Sequence, residues 1–142
     1  METDKQKLAV ITGADGGMGT EITRAVAEAG YRVIMGSCRK QKAEAVRRTL
    51  MHNRPDLQIE VRKLDLASLK SVAGFAEDLI QENQPLTLLM NCAGTMETGL
   101  HITEDGLERT VSVNYVGPYL LTRKLLPLMG PGSRVVNMVS CT

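Results

Sequence analysis

Residues 8–19 read LAVITGADGGMG, and this stretch narrows the possible folds more than any other in the 142-residue chain. Leu8, Ala9, Val10 and Ile11 form a short apolar run suited to a strand buried on both faces. Thr12 and Gly13 end it, glycines recur at 16, 17 and 19, and a helical pattern starts at once. A strand, a glycine-rich turn and a helix start together present backbone N–H groups to an anion such as phosphate. A Cβ in that turn would block a positive φ, hold the backbone off a ligand, or push the helix away from the strand. The spacing is T-G-x-x-x-G-x-G rather than the commoner G-x-G-x-x-G, and it gains force from its place between a strand and a helix.

The rest of the chain alternates strands with helices. After Gly19, Ile22, Ala25, Val26 and Ala29 recur at helical spacing, and Gly30 suits the stop. Residues 31–35 read as the second strand. Residues 41–53 read as a helix with Ala43, Val46 and Leu50 inward, broken by Arg54-Pro55-Asp56. Residues 57–64 alternate apolar and polar, which suits a sheet edge. Ser68 is a credible N-cap for a helix burying Leu69, Val72, Phe75, Ala76 and Leu79. Residues 86–90 form a fourth, strongly apolar strand, and a loop runs over 91–102. Thr103 is expected to cap a long helix reaching about Met129, with Pro118 bending it near Asn114. A turn over 130–133 leads to a fifth strand, 134–139.

This order predicts an α/β fold, with 1–142 as one dinucleotide-binding domain: a Rossmann-type, doubly wound parallel sheet of order 3-2-1-4-5. Ligands of such sheets sit beyond the carboxyl ends of the strands. Candidate residues fall on that rim after every strand: Gly13, Gly17 and Gly19, then Ser37 to Lys40, Asp65, Asn91 to Gly94, and Ser140.

The net charge is +1 with both signs interspersed, and Trp is absent. No basic block or basic–aromatic pattern points to nucleic acid. No apolar run approaches the roughly 20 residues of a membrane helix, and the polar opening Met1-Glu2-Thr3-Asp4-Lys5 is not a signal peptide. Cys38, Cys92 and Cys141 lack metal spacing, and their odd number predicts reduced thiols and a cytoplasmic protein. His52 and His101 have no partners at metal or triad spacing, so no metal site is expected.

Five motifs together resemble the short-chain dehydrogenase/reductase family. They are Thr12-Gly13-x-x-x-Gly17-Met18-Gly19, Leu64-Asp65-Leu66, Asn91-Cys92-Ala93-Gly94, Asn114, and residues 134–140, RVVNMVS. The resemblance spans the chain. It implies a nicotinamide cofactor and hydride exchange with a small alcohol or carbonyl substrate. It implies cofactor contacts from Thr12, Gly13, Asp15, Gly17, Met18, Gly19, Leu66 and Asn91, with Asp65 at the adenine and Ala93 and Gly94 at the adenosine ribose. It further implies that Ser140 hydrogen-bonds the substrate oxygen and that Asn114 serves a water relay to a catalytic lysine.

The identity of the cofactor turns on the end of the second strand. An acidic residue there would bind a ribose 2′-hydroxyl, but residues 31–43 contain no Asp or Glu. Ser37, Arg39, Lys40 and Lys42 stand there instead, which favours the 2′-phosphate of NADP(H) over NAD(H). One departure opposes this: family members that bind NADP often carry a basic residue where this chain has Gly16.

The family's proton donor, Tyr in Tyr-x-x-x-Lys, does not occur in these residues, since Tyr115 and Tyr119 are followed four positions later by Tyr119 and Arg123. The chain therefore reads as the cofactor-binding portion of a longer oxidoreductase, truncated on its C-terminal side. The alternative is a nucleotide-binding module or pseudoenzyme without turnover. A methyltransferase on a related sheet would want a carboxylate ending the second strand. Strand 134–139 and the leucine-rich long helix would lack neighbours, so a homo-oligomer is expected.

Overall fold

The computed structural model describes residues 6–140. The opening pentapeptide and Cys141 lie outside them. Five strands form one parallel sheet: β1 (Leu8–Thr12), β2 (Arg32–Ser37), β3 (Gln58–Lys63), β4 (Leu86–Asn91) and β5 (Arg134–Asn137), in the order β3-β2-β1-β4-β5. Helices α1 (Gly17–Glu28), α2 (Lys40–His52) and α3 (Leu69–Glu82) join the first four strands. The last crossover holds α4 (Arg109–Val111), a π-helical turn (Ser112–Val116), α5 (Gly117–Leu125) and a 3-10 turn (Leu126–Leu128). The expected α/β architecture and strand order are both present.

Successive side chains of β1 point to opposite faces, and the core divides accordingly. Leu8 and Val10 join Ile34 and Leu89 beneath α3 and α5, where Val72, Phe75, Leu79, Leu121 and Leu125 complete the cluster. Ala9 and Ile11 join Val33 and Met35 on the other face, against Ala27, Ala43 and Leu50 of α1 and α2. All five residues of β1 are buried.

Three expectations are corrected. The buried face of α1 is Gly19, Thr23 and Ala27, whereas Ala25 and Ala29 are exposed. A stripe of small residues lets the helix lie close to the sheet, with Ile22 and Val26 packed at its flanks. Thr103 does not cap a helix. Its hydroxyl accepts the Leu107 N–H at 3.2 Å inside a turn, and the helical segment begins at Glu108, whose carboxylate accepts the N–H groups of Thr110 and Val111. Those N–H donors hold the Glu108 carboxyl below its usual pKa. Finally, β5 ends at Asn137, because its partner β4 ends at Asn91. Met138 N–H still donates to Asn91 O at 3.0 Å, and Ser140 lies three residues beyond the strand.

The distortion expected from Pro118 takes the form of the π-helical turn. Proline brings no N–H to the carbonyl four residues earlier, that of Asn114, and the widened turn just before Gly117 accommodates the loss.

The outer strand β3 is guarded by charge. Glu60 pairs with Arg32 at 2.9 Å and Arg62 at 2.8 Å, and Arg62 reaches Glu82. Burial pushes the Glu60 carboxyl up, but the hydrogen bonds and charges of Arg62 and Arg32 outweigh it and hold the group below its ordinary pKa. A lowered folded pKa contributes stability above the unfolded value and loses it as pH falls through the folded one. Glu60→Gln is therefore expected to flatten the fall in stability below about pH 4.3. Urea midpoints measured from pH 2 to 7 check this; acid limbs that overlay would contradict it.

Candidate cofactor site

The site grows out of the way β1 stops. Gly13 takes φ +61°, and a Cβ there would lie 2.7 Å from Ala93 Cα. The turn after β1 and the loop after β4 thus touch backbone to backbone. Thr12 secures the contact: its buried hydroxyl oxygen accepts the N–H groups of Cys92 and Ala93, both at 3.1 Å. Thr12 therefore positions the floor of the site.

The chain then turns through a Gly16 N–H to Gly13 O bond of 3.1 Å and enters α1. A Cβ on Gly19 would collide with Gly13 O and lie 2.9 Å from Ala14 Cα, so only glycine lets the helix start this close to the turn. The N-cap is Gly16, which offers no side-chain oxygen, and no acidic residue stands in the first turn. The N–H groups of Gly17, Met18 and Gly19 are left for an external acceptor, at the positive end of the helix dipole.

These elements border a cleft of about 530 Å³ at the carboxyl ends of β1, β2 and β4, a size that suits a small-molecule ligand. Of the residues expected to bind cofactor, Thr12, Gly13, Asp15, Gly17, Met18, Gly19, Ser37, Arg39, Asp65, Leu66, Ala93 and Gly94 all border it. Asp65 also shapes the entry to α3, its Oδ1 accepting the Ala67 N–H at 2.9 Å while its own N–H donates to Ser71 Oγ. Leu66 places its side chain in the core beneath α3, and its carbonyl accepts the buried Ser112 hydroxyl at 2.9 Å.

Three expected residues stand apart from the cleft. Asn91 turns its amide toward β5 and α5, donating to Asn137 Oδ1 at 2.9 Å and to Thr122 Oγ1 at 3.1 Å. Asn114 clasps the loop after β4 from the π-helical turn: its Oδ1 accepts the Thr95 N–H and its Nδ2 donates to Thr95 O, each at 2.8 Å. Ser140 is exposed past the end of β5.

Sequence reasoning missed Arg109, Thr95 and Val113, which also border the cleft. Arg109 pairs with Glu97 at 3.0 Å. A helix beginning at Thr103, as the sequence pattern suggests, would enclose Arg109 and hide its place at a loop-to-helix junction. Cys92 borders the cleft as well, and burial pushes its thiol pKa up.

At the β2 end, Arg39 Nη2 lies 3.0 Å from Asp15 Oδ2, Ser37 Oγ donates to Asp15 Oδ1 at 2.9 Å, and the Arg39 N–H donates to Ser37 Oγ at 3.0 Å. A glycine cradle with an uncapped helix start and a cation on the neighbouring strand end fits a dinucleotide.

A family model described as short chain dehydrogenase matches residues 7–142. Retinol dehydrogenase 11 of Mus musculus is 39% identical over 136 residues, which cover 94% of this chain and 43% of that protein. Short-chain dehydrogenase TIC 32 A, chloroplastic, of Brassica napus is 34% identical over 143 residues, covering 96% of this chain and 45% of that one. Among solved structures, a metagenomic short-chain oxidoreductase in complex with NADP superposes with a TM-score of 0.80 at 26% identity, over 96% of this chain and 63% of its own. The chain spans less than half the length of these two curated relatives.

The Thr12 clasp yields a direct test. Thr12→Val keeps the shape but leaves the Cys92 and Ala93 N–H groups without their acceptor, at an expected cost of about 1–3 kcal/mol. Thr12→Ser retains most of the stability. Urea unfolding of the two variants measures the difference.

Proposed function

Since the chain belongs to the short-chain dehydrogenase family, we propose that residues 1–142 are the nucleotide-binding domain of an NADP(H)-dependent oxidoreductase acting on a small alcohol or carbonyl compound. The observation that carries this reading is the uncapped start of α1 beside the Gly13–Ala93 contact, with Arg39 across the cleft. The N–H groups of Gly17, Met18 and Gly19 hold the diphosphate. Arg39 and Ser37 hold the adenosine 2′-phosphate, Asp65 accepts from the adenine amino group, and Ala93 and Gly94 leave room for the ribose. The nicotinamide cofactor, when bound, supplies or accepts the hydride. Ser140 orients the substrate oxygen by a hydrogen bond, and Asn114 keeps a water relay in register.

The second reading is a nucleotide-binding module without turnover. Absorbance at 340 nm during incubation of the full-length protein with NADP and a panel of alcohols separates the two. Among the described residues no helix is long and apolar enough to cross a membrane, and the free thiols Cys38 and Cys92 support a reducing compartment such as the cytoplasm.

Titration with NADPH and NADH is the primary test. NADPH is expected to bind more tightly, and Arg39→Glu to weaken it about tenfold to a hundredfold. Equal wild-type affinities would remove the assignment to NADP(H).

We also propose self-association. Tyr115 and Tyr119 stack at 6.5 Å between ring centroids on an exposed helical face, and Val135 and Val136 of β5 and Met138 just beyond it are exposed. Sedimentation velocity is expected to find dimers or larger species, reduced by Val136→Lys; a monodisperse monomer contradicts this.

A further inference from the structure

Although residues 31–43 contain no acid, the fold delivers one to the end of β2. Asp15 comes from the glycine turn, is only 5% exposed, and lies against Ser37 Oγ and Arg39 Nη2. The point where an adenosine 2′ substituent would dock thus holds a fixed carboxylate beside a cation whose side chain is 60% exposed. We propose that Asp15 is a specificity-determining residue that counteracts Arg39, lowering the preference for a 2′-phosphate over a 2′-hydroxyl. The inference rests on the nucleotide reading of the cleft.

Two physical effects lead to it. Arg39 already forms an ion pair with Asp15 at 3.0 Å, so a 2′-phosphate must draw the guanidinium away from a carboxylate that has little water to replace it. The carboxylate also repels a phosphate placed near Ser37, whereas a ribose 2′-hydroxyl can donate a hydrogen bond to it. Asp15 therefore acts on the two nucleotides in opposite directions. The site is a balanced acid–base pair, and its preference is set by the difference between the two charges.

Asp15→Asn removes the charge at nearly constant volume and keeps an acceptor for the Ser37 hydroxyl. NADPH affinity is expected to rise roughly two- to tenfold. NADH affinity is expected to stay level or fall, so the NADPH-to-NADH affinity ratio increases. The change shrinks as salt is raised. In an Arg39→Gln background the same substitution gives a smaller NADPH gain, because no cation is released, and the difference between backgrounds measures the coupling.

Calorimetry and the fluorescence of the reduced nucleotides provide the readout, with thermal unfolding checked for each variant. Asp15→Ser is the second variant should the Asn form fail to fold. A ratio that is unchanged or moves toward NADH in a folded variant overturns the role of Asp15 while leaving the nucleotide site intact. Wild-type protein that binds neither nucleotide overturns both readings.

Discussion

The structure depends on one close approach, that of Gly13 to Ala93. Two strand ends cannot come this near with side chains between them. The turn after β1 carries none at Gly13, and Thr12 supplies an acceptor for the two N–H groups that the β4 loop would otherwise bury unpaired. Once these segments are locked, the direction in which α1 leaves the sheet is limited. Its small-residue stripe then brings the first turn of the helix over the carboxyl ends of the strands. The anion-binding character of the cleft follows from that placement, and no charged side chain is needed to create it.

Around this neutral cradle the charged groups are arranged with restraint. Asp15, Ser37 and Arg39 form one connected set at the β2 end, and Arg109 with Glu97 forms another. Both cations that line the cleft, Arg39 and Arg109, already have a carboxylate partner. Binding of an anionic ligand is consequently an exchange of partners, and the net attraction is smaller than a tally of positive residues implies.

Most of the architecture was legible in the residue pattern. Strand length, alternation and the glycine turn report local backbone requirements, and these give the strand order, whereas Thr95, Arg109 and Val113, which also border the cleft, carry no such local signal. The position of Asn91 at a strand end says where its backbone lies, while its amide turns to Asn137 and Thr122. The start of the last helical segment was misread because Thr103 and Glu108 both fit a capping role locally. The Asp105-Gly106 turn decides between them, with Gly106 at φ +77° and Asp105 accepting the Leu69 N–H at 2.9 Å. That tie between distant segments has no signature in sequence. The Asp15–Arg39 pair was hidden for the same reason: its members are 24 positions apart in the chain and meet only through the pairing of β1 with β2.

The central place of β1 has a consequence for how the molecule assembles. Its bond to β2 closes a short excursion through α1, whereas the Thr12 bond to Cys92 closes a loop of 80 residues. Loop-closure entropy rises with the logarithm of length, and contacts distant in sequence slow folding. The half of the sheet built from β1, α1, β2, α2 and β3 can therefore organise early, while the nucleotide cleft comes into being only when β4 docks. A bound nucleotide would act as a clasp on that late step, favouring closure over reopening and leaving the early half largely indifferent to its presence.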